Sequence, residues 1–94
     1  MIIDYLAQVK AGVAFDLDAI RPGPGKHIKG YTTATATIQH ADDNAGAAGT
    51  LGALMVVTVG ATDPGVEFEL PSNTKQWIQS DVAFNIVMDA QTNL

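Results

Sequence analysis

Residues 31–39, Tyr-Thr-Thr-Ala-Thr-Ala-Thr-Ile-Gln, alternate without a break: Thr33, Thr35 and Thr37 fall on one side, Ala34, Ala36 and Ile38 on the other. A period of two is the pleat of a β-strand, and threonine, with its restricted χ1, suits that surface. The pattern predicts one continuous strand here, with small alanines that let a second layer approach closely.

The same period recurs on both sides of it. Residues 13–20 place Val13, Phe15, Leu17 and Ala19 inward with Asp16 and Asp18 outward, which predicts a half-exposed strand. Val66, Phe68 and Leu70 alternate with Glu67 and Glu69, and Val82, Phe84, Ile86 and Met88 alternate with Ala83, Asn85 and Val87, predicting a further half-exposed strand and a closing core strand. Residues 53–59 are apolar on both faces: Met55, Val57 and Val59 on one, Leu54 and Val56 on the other. Such a strand is central or lies at an interface.

Between these runs the punctuation is clear. Residues 21–27, Arg-Pro-Gly-Pro-Gly-Lys-His, are an exposed loop, because two prolines lack a donor and two glycines remove backbone bias. Residues 40–52, rich in glycine and alanine, read as a long flexible loop. Residues 60–65, carrying Asp63-Pro64-Gly65, mark a turn, Pro71-Ser72-Asn73-Thr74 ends the next strand, and residues 75–80 suggest one helical turn that seats Trp77 and Ile78 across an open end of the sheet. Residues 1–11 fit an extended arm or edge strand better than a helix, and the polar residues 89–94 read as a frayed or neighbour-held tail. Five to seven strands with no long amphipathic helix predict one all-β domain over 1–94, a small antiparallel β-sandwich of immunoglobulin-like or jelly-roll-like winding.

Composition narrows the chemistry. The absence of cysteine removes disulfides, thiolate metal sites and a cysteine nucleophile. The Met-Ile-Ile-Asp opening lacks the basic n-region of a signal peptide, and the apolar run at 53–57 is too short to span a bilayer. Ten acidic against five basic residues, a net charge of −5, repel a phosphate backbone, so no nucleic-acid or membrane partner is expected. The positive charges gather nonetheless at Arg21, Lys26 and Lys29, with His27 among them. A hydrophobic content of 47% with only 16% charged residues suggests that some apolar surface meets a protein partner.

Candidate chemistry is sparse. Gly23-Pro24-Gly25-Lys26 lacks the earlier glycine and the following Ser or Thr of a phosphate-binding loop, and Pro24 removes a donor. His27 and His40 would stand at opposite ends of one strand, too far apart to share an ion within a subunit. Asp16 with Asp18 and Glu67 with Glu69 read as solvated edge carboxylates rather than an acid–base pair. No serine has a nucleophile context. Trp77, the sole tryptophan, reads as a core plug, with an interface anchor as the alternative.

Four stretches together, Ala14-Phe-Asp-Leu, Ile28-Lys-Gly-Tyr-Thr-Thr-Ala-Thr-Ala-Thr-Ile-Gln39, the apolar strand 54–59 and Ala83-Phe-Asn-Ile-Val-Met-Asp89, resemble the small β-sandwich domains of tailed-phage virions, in particular the N-terminal domain of siphophage upper-baseplate proteins. The resemblance implies a non-enzymatic structural protein of the virion, a tail or baseplate adaptor assembled in the host cytoplasm in multiple copies, with no cofactor and no metal. Its expected partners are itself and other virion structural proteins, as a homo-oligomer. Arg21, Lys26, His27, Lys29, Tyr31 and Trp77 are the expected interface residues. A capsid decoration (cement) protein is the nearest alternative, and a carbohydrate- or ligand-binding β module the alternative from another class.

Overall fold

A computed structural model of the chain describes residues 5–20 and 27–88. Its architecture follows from a corner in the alternating threonine stretch. Thr32, 1% exposed, uses its hydroxyl twice: Oγ1 donates to the Ala34 carbonyl (2.6 Å) and accepts from the Ala34 N–H (3.2 Å). A hydroxyl that satisfies local backbone groups offers the chain an alternative to the ladder. The expected continuous strand therefore breaks at residues 33–35, into β3 (Ile28–Thr32) and β4 (Ala36–Ala41), which lie in different sheets. Thr35 secures the far side of the corner, its Oγ1 accepting from the Val59 N–H at 3.0 Å.

Before the corner run β1 (Tyr5–Val9), β2 (Phe15–Asp16) and the short helix α1 (Leu17–Ile20). After it come β5 (Asp43–Asn44), β6 (Ala47–Ala48), β7 (Gly52–Val57), β8 (Val66–Glu69), β9 (Trp77–Ser80) and β10 (Phe84–Met88). One four-stranded sheet has the order β1-β10-β3-β8, here sheet A; the other, sheet B, has β2-β9-β4-β7; β5 and β6 form a separate two-stranded hairpin. Every pairing is antiparallel. The pairs β1·β10, β2·β9, β3·β8 and β4·β7 nest inside one another, so the chain is a single long ribbon whose tip is the β5–β6 hairpin. The ribbon doubles over until β10 also meets β3 and β9 also meets β4. That winding is the jelly roll, and the protein is a small all-β sandwich.

The core lies between the sheets. Sheet A contributes Val9, Ile28, Phe84, Ile86 and Met88, and sheet B contributes Ala36, Ile38, Val57 and Ile78. Each fully buried Ile, Val or Met side chain stabilises by about 1.5–3 kcal/mol relative to an exposed one. Gly30 lies in the middle of sheet A because the Phe68 ring crosses directly over it; a Cβ there would overlap the ring. Phe68 in turn packs edge-on against Phe84, with centroids 5.3 Å apart.

Three expectations are corrected. Residues 13–20 are not one strand: the Asp16 carboxylate accepts the Asp18 N–H (3.0 Å), which starts α1, while Val13 is 53% exposed and Ala19 is exposed. Residues 40–52, expected as a loop without regular structure, hold the end of β4, the β5–β6 hairpin and the start of β7. Ala45 and Gly46 at the hairpin tip both have positive φ, 54° and 89°, as a type I′ turn requires. Residues 75–80 carry no helical turn, because β9 occupies Trp77–Ser80 in sheet B. The turn expected over residues 60–65 is present, and it closes at Gly60–Asp63, where the Asp63 N–H donates to the Gly60 carbonyl at 3.0 Å, just before Pro64 and Gly65.

The strand at 53–59 sits at an edge of sheet B rather than centrally. Its ladder with β4 skips a residue, from Ile38 opposite Met55 to Gln39 opposite Ala53, which leaves Leu54 without a partner. This bulge lets two consecutive side chains, Leu54 and Met55, both pack against the core. The expected arm at 1–11 is represented by β1, with residues 1–4 outside the described part, as are loop residues 21–26 and the tail 89–94. No helix among the described residues is long and apolar enough to cross a membrane.

Two substitutions test this packing. Gly30→Ala forces Phe68 off its seat and is expected to cost about 1–3 kcal/mol in urea unfolding. Ala45→Asn relieves a left-handed alanine at the tip and is expected to raise stability by about 0.5–1 kcal/mol, read as a higher melting temperature.

Candidate functional site

The outer face of sheet A is built by the alternate residues of four strands. The register sets them in two rows, Leu6–Val87–Lys29–Glu69 and Gln8–Asn85–Tyr31–Glu67. Leu6 is 75% exposed, and Val87 beside it and Tyr31 in the next row are also uncovered. The face thus carries one apolar pair, Leu6 beside Val87, at its β1–β10 side, with Gln8 and Asn85 in the next row, and is charged at the β8 side, where Lys29 stands opposite Glu69 and Tyr31 opposite Glu67. The Tyr31 side chain reaches over Gly65, whose missing Cβ makes room for the hydroxyl. An open depression of about 260 Å³ lies at this edge, lined by Lys29, Glu67, Phe68 and Glu69.

Trp77 is on the other side of the molecule. It stands half-buried on the outer face of sheet B, opposite Ala41, and its Nε1 donates to Asp43 Oδ1 at the base of the β5–β6 hairpin (2.9 Å). Ala41 is fully buried without belonging to the core cluster, as expected of a residue covered from outside by an indole. Beside it the Lys75 N–H donates to His40 Nδ1 (3.2 Å), and the Lys75 ammonium meets Asp42 at 3.3 Å on the surface. Trp77 is therefore not the expected core plug. The alternation of β9 turns Ile78 and Ser80 inward, so Trp77 must face out, where it fastens the hairpin to the sheet.

Of the six residues expected at an interface, the structure brings together Lys29 and Tyr31, neighbours in alternation on β3. His27 is exposed just before that strand. Trp77 is separated from them by the thickness of the sandwich, and Arg21 and Lys26 lie outside the described residues. Leu6 and Val87 are the members of this face that sequence reading left out. The signal was present in the set Ala83, Asn85 and Val87, where a valine stands on the outward side of a core strand.

The other chemical candidates separate. Asp16 is half-buried, accepts from Asp18 N–H and Gln76 Nε2 (both 3.0 Å), and belongs to sheet B, whereas Glu67 and Glu69 are exposed on sheet A. The two carboxylate pairs do not converge. His27 and His40 do not share a strand, since the corner at 33–35 puts His40 in sheet B and His27 beside sheet A. Among the described residues no group of three His, Cys, Asp or Glu side chains is placed to hold a metal ion.

Comparison of the chain with protein-family models, with curated proteins and with solved structures finds no match. What is defined is the class: a small all-β sandwich of jelly-roll winding.

Because Trp77 lies outside the core, Trp77→Phe is expected to cost about 0.5–1.5 kcal/mol, the worth of one hydrogen bond. Trp77→Ala is expected to stay below the roughly 3–5 kcal/mol of a core aromatic. Urea unfolding followed by circular dichroism measures both.

Proposed function

We propose that the protein is a non-enzymatic structural protein that works by assembling in multiple copies, and that its setting is a phage virion, as a tail or baseplate adaptor. The observation that carries the assembly reading is the pairing of exposed Leu6 with Val87 on the outer face of sheet A, with Tyr31 in the adjoining row. An antiparallel sheet whose outer face is solvated alternates apolar-in with polar-out, and this face breaks that rule at its β1–β10 side. Apolar positions grouped in register are the mark of a surface that meets another protein.

The virion setting is supported by the sequence resemblance and, as analogy, by the jelly-roll winding that capsid domains share with lectins and cupins. A capsid decoration protein would use the same face in the same way. The carbohydrate-module reading is less well supported, because Tyr31 and Trp77 stand on opposite sheets and form no aromatic platform.

Light scattering over a concentration series tests the proposal. The mass is expected to rise above that of one chain, and the double variant Leu6→Lys with Val87→Glu, which sets opposite charges side by side in the row that continues to Lys29, is expected to lower it while leaving the melting temperature of the single chain within a few degrees. A wild-type mass fixed at one chain over the whole series contradicts the assembly reading.

A further inference from the structure

Among the described residues the two open sheets have four edge strands, β1 and β8 in sheet A and β2 and β7 in sheet B. An edge presents unpaired backbone donors and acceptors, and it is normally blunted by charge, shortness or a bulge. The edge β8 carries Glu67 and Glu69, so two copies would repel. The edge β2 is two residues long and runs straight into α1.

The remaining edges, β1 and β7, carry no charge, and on β1 the polar Gln8 shares the outer face with Leu6. The edge β7 is the more apolar of the two. No charged residue occurs from Asn44 to Thr62, and residues 54–59, Leu-Met-Val-Val-Thr-Val, combine strong β-propensity with neither charge nor proline. Its outward residue Val56 is 60% exposed. The bulge turns Leu54 inward with Met55, so Val56 is the large apolar side chain that the strand leaves on its outer face, uncovered among the described residues. The bulge at Ala53 and Leu54 blunts the first part of the edge and leaves Met55–Val57 in regular ladder with β4.

We infer that β7 pairs antiparallel with β7 of a second copy, joining two B sheets into one across a two-fold axis. This rests on the assembly reading and adds a second, separate contact to it. The occupant is a second copy because the regular part of the edge is short, uncharged and self-complementary, so an identical strand meets no like charge. A two-fold contact over Met55–Val57 centres on its middle residue. Val56 then lies beside Val56 of the other copy, with Thr37, its partner on β4, flanking the pair on each side. An edge contact this short falls below the area of a standard interface, so it exchanges with concentration.

The experiment compares the assembled mass of wild type, Val56→Lys and Val56→Glu by sedimentation velocity at matched concentrations, with circular dichroism to verify the fold of each. Both variants are expected to lose mass. An equimolar mixture of the two is expected to regain it, because opposite charges then face each other across the axis. A Val56→Lys variant that keeps the wild-type mass overturns the edge pairing and leaves the assembly reading standing. Lost mass that the mixture does not restore overturns the self-pairing at Val56, and a wild type that is a single chain at every concentration overturns both.

Discussion

The bend at Thr32–Ala34 is the constraint on which the rest of the sandwich depends. A ribbon made of β1·β10, β2·β9, β3·β8 and β4·β7 is flat until something turns it from one sheet into the other. On the β3–β4 strand that turn is made by one buried hydroxyl bonded to both backbone groups of Ala34. Several consequences follow from it. β3 stays in sheet A, where Gly30 accepts the Phe68 ring; β4 enters sheet B, where Ile38 meets the core; and the two become the inner strands to which β10 and β9 add. The opposite strand crosses between β7 and β8 through Val59, which is tied back to Thr35.

How much of this was legible depends on whether the deciding contact is local. The alternations at Val66–Glu69 and Phe84–Met88 were read correctly because a period of two records which face is buried, and no distant residue is needed to interpret it. The corner was not legible, because alternation is the same on either side of a bend and Thr32 looks like its neighbours until its hydroxyl is seen to be buried. Leu17–Ile20 resembled a strand, but the carboxylate that begins the helix is also held by Gln76, far along the chain. Trp77 was misplaced for a similar reason. A large aromatic suggests a core, yet the strand parity of β9 assigns the inward places to Ile78 and Ser80.

The candidate surface was half legible. Lys29 and Tyr31 could be placed on one face from their spacing, whereas their apolar neighbours Leu6 and Val87 come from strands at the two ends of the chain, brought alongside by the nested ribbon. The doubly apolar strand carried a real signal with an ambiguous meaning. Its sequence allowed either a central strand or an interface; the topology removes the first, since β7 is at the edge, and the exposed Val56 favours the second. The assembly we propose thus rests on two separate surfaces, a face on sheet A and an edge on sheet B.

Backbone hydrogen exchange, followed by mass spectrometry at low and at high protein concentration, tests this account most directly, because it reports each strand separately. At labelling times short of global unfolding, the account predicts that protection rises with concentration in β1, β10 and β7, where apolar side chains or backbone edges are uncovered among the described residues, and stays level in the inner strands β4 and β9. An exchange pattern that is the same at both concentrations would contradict it.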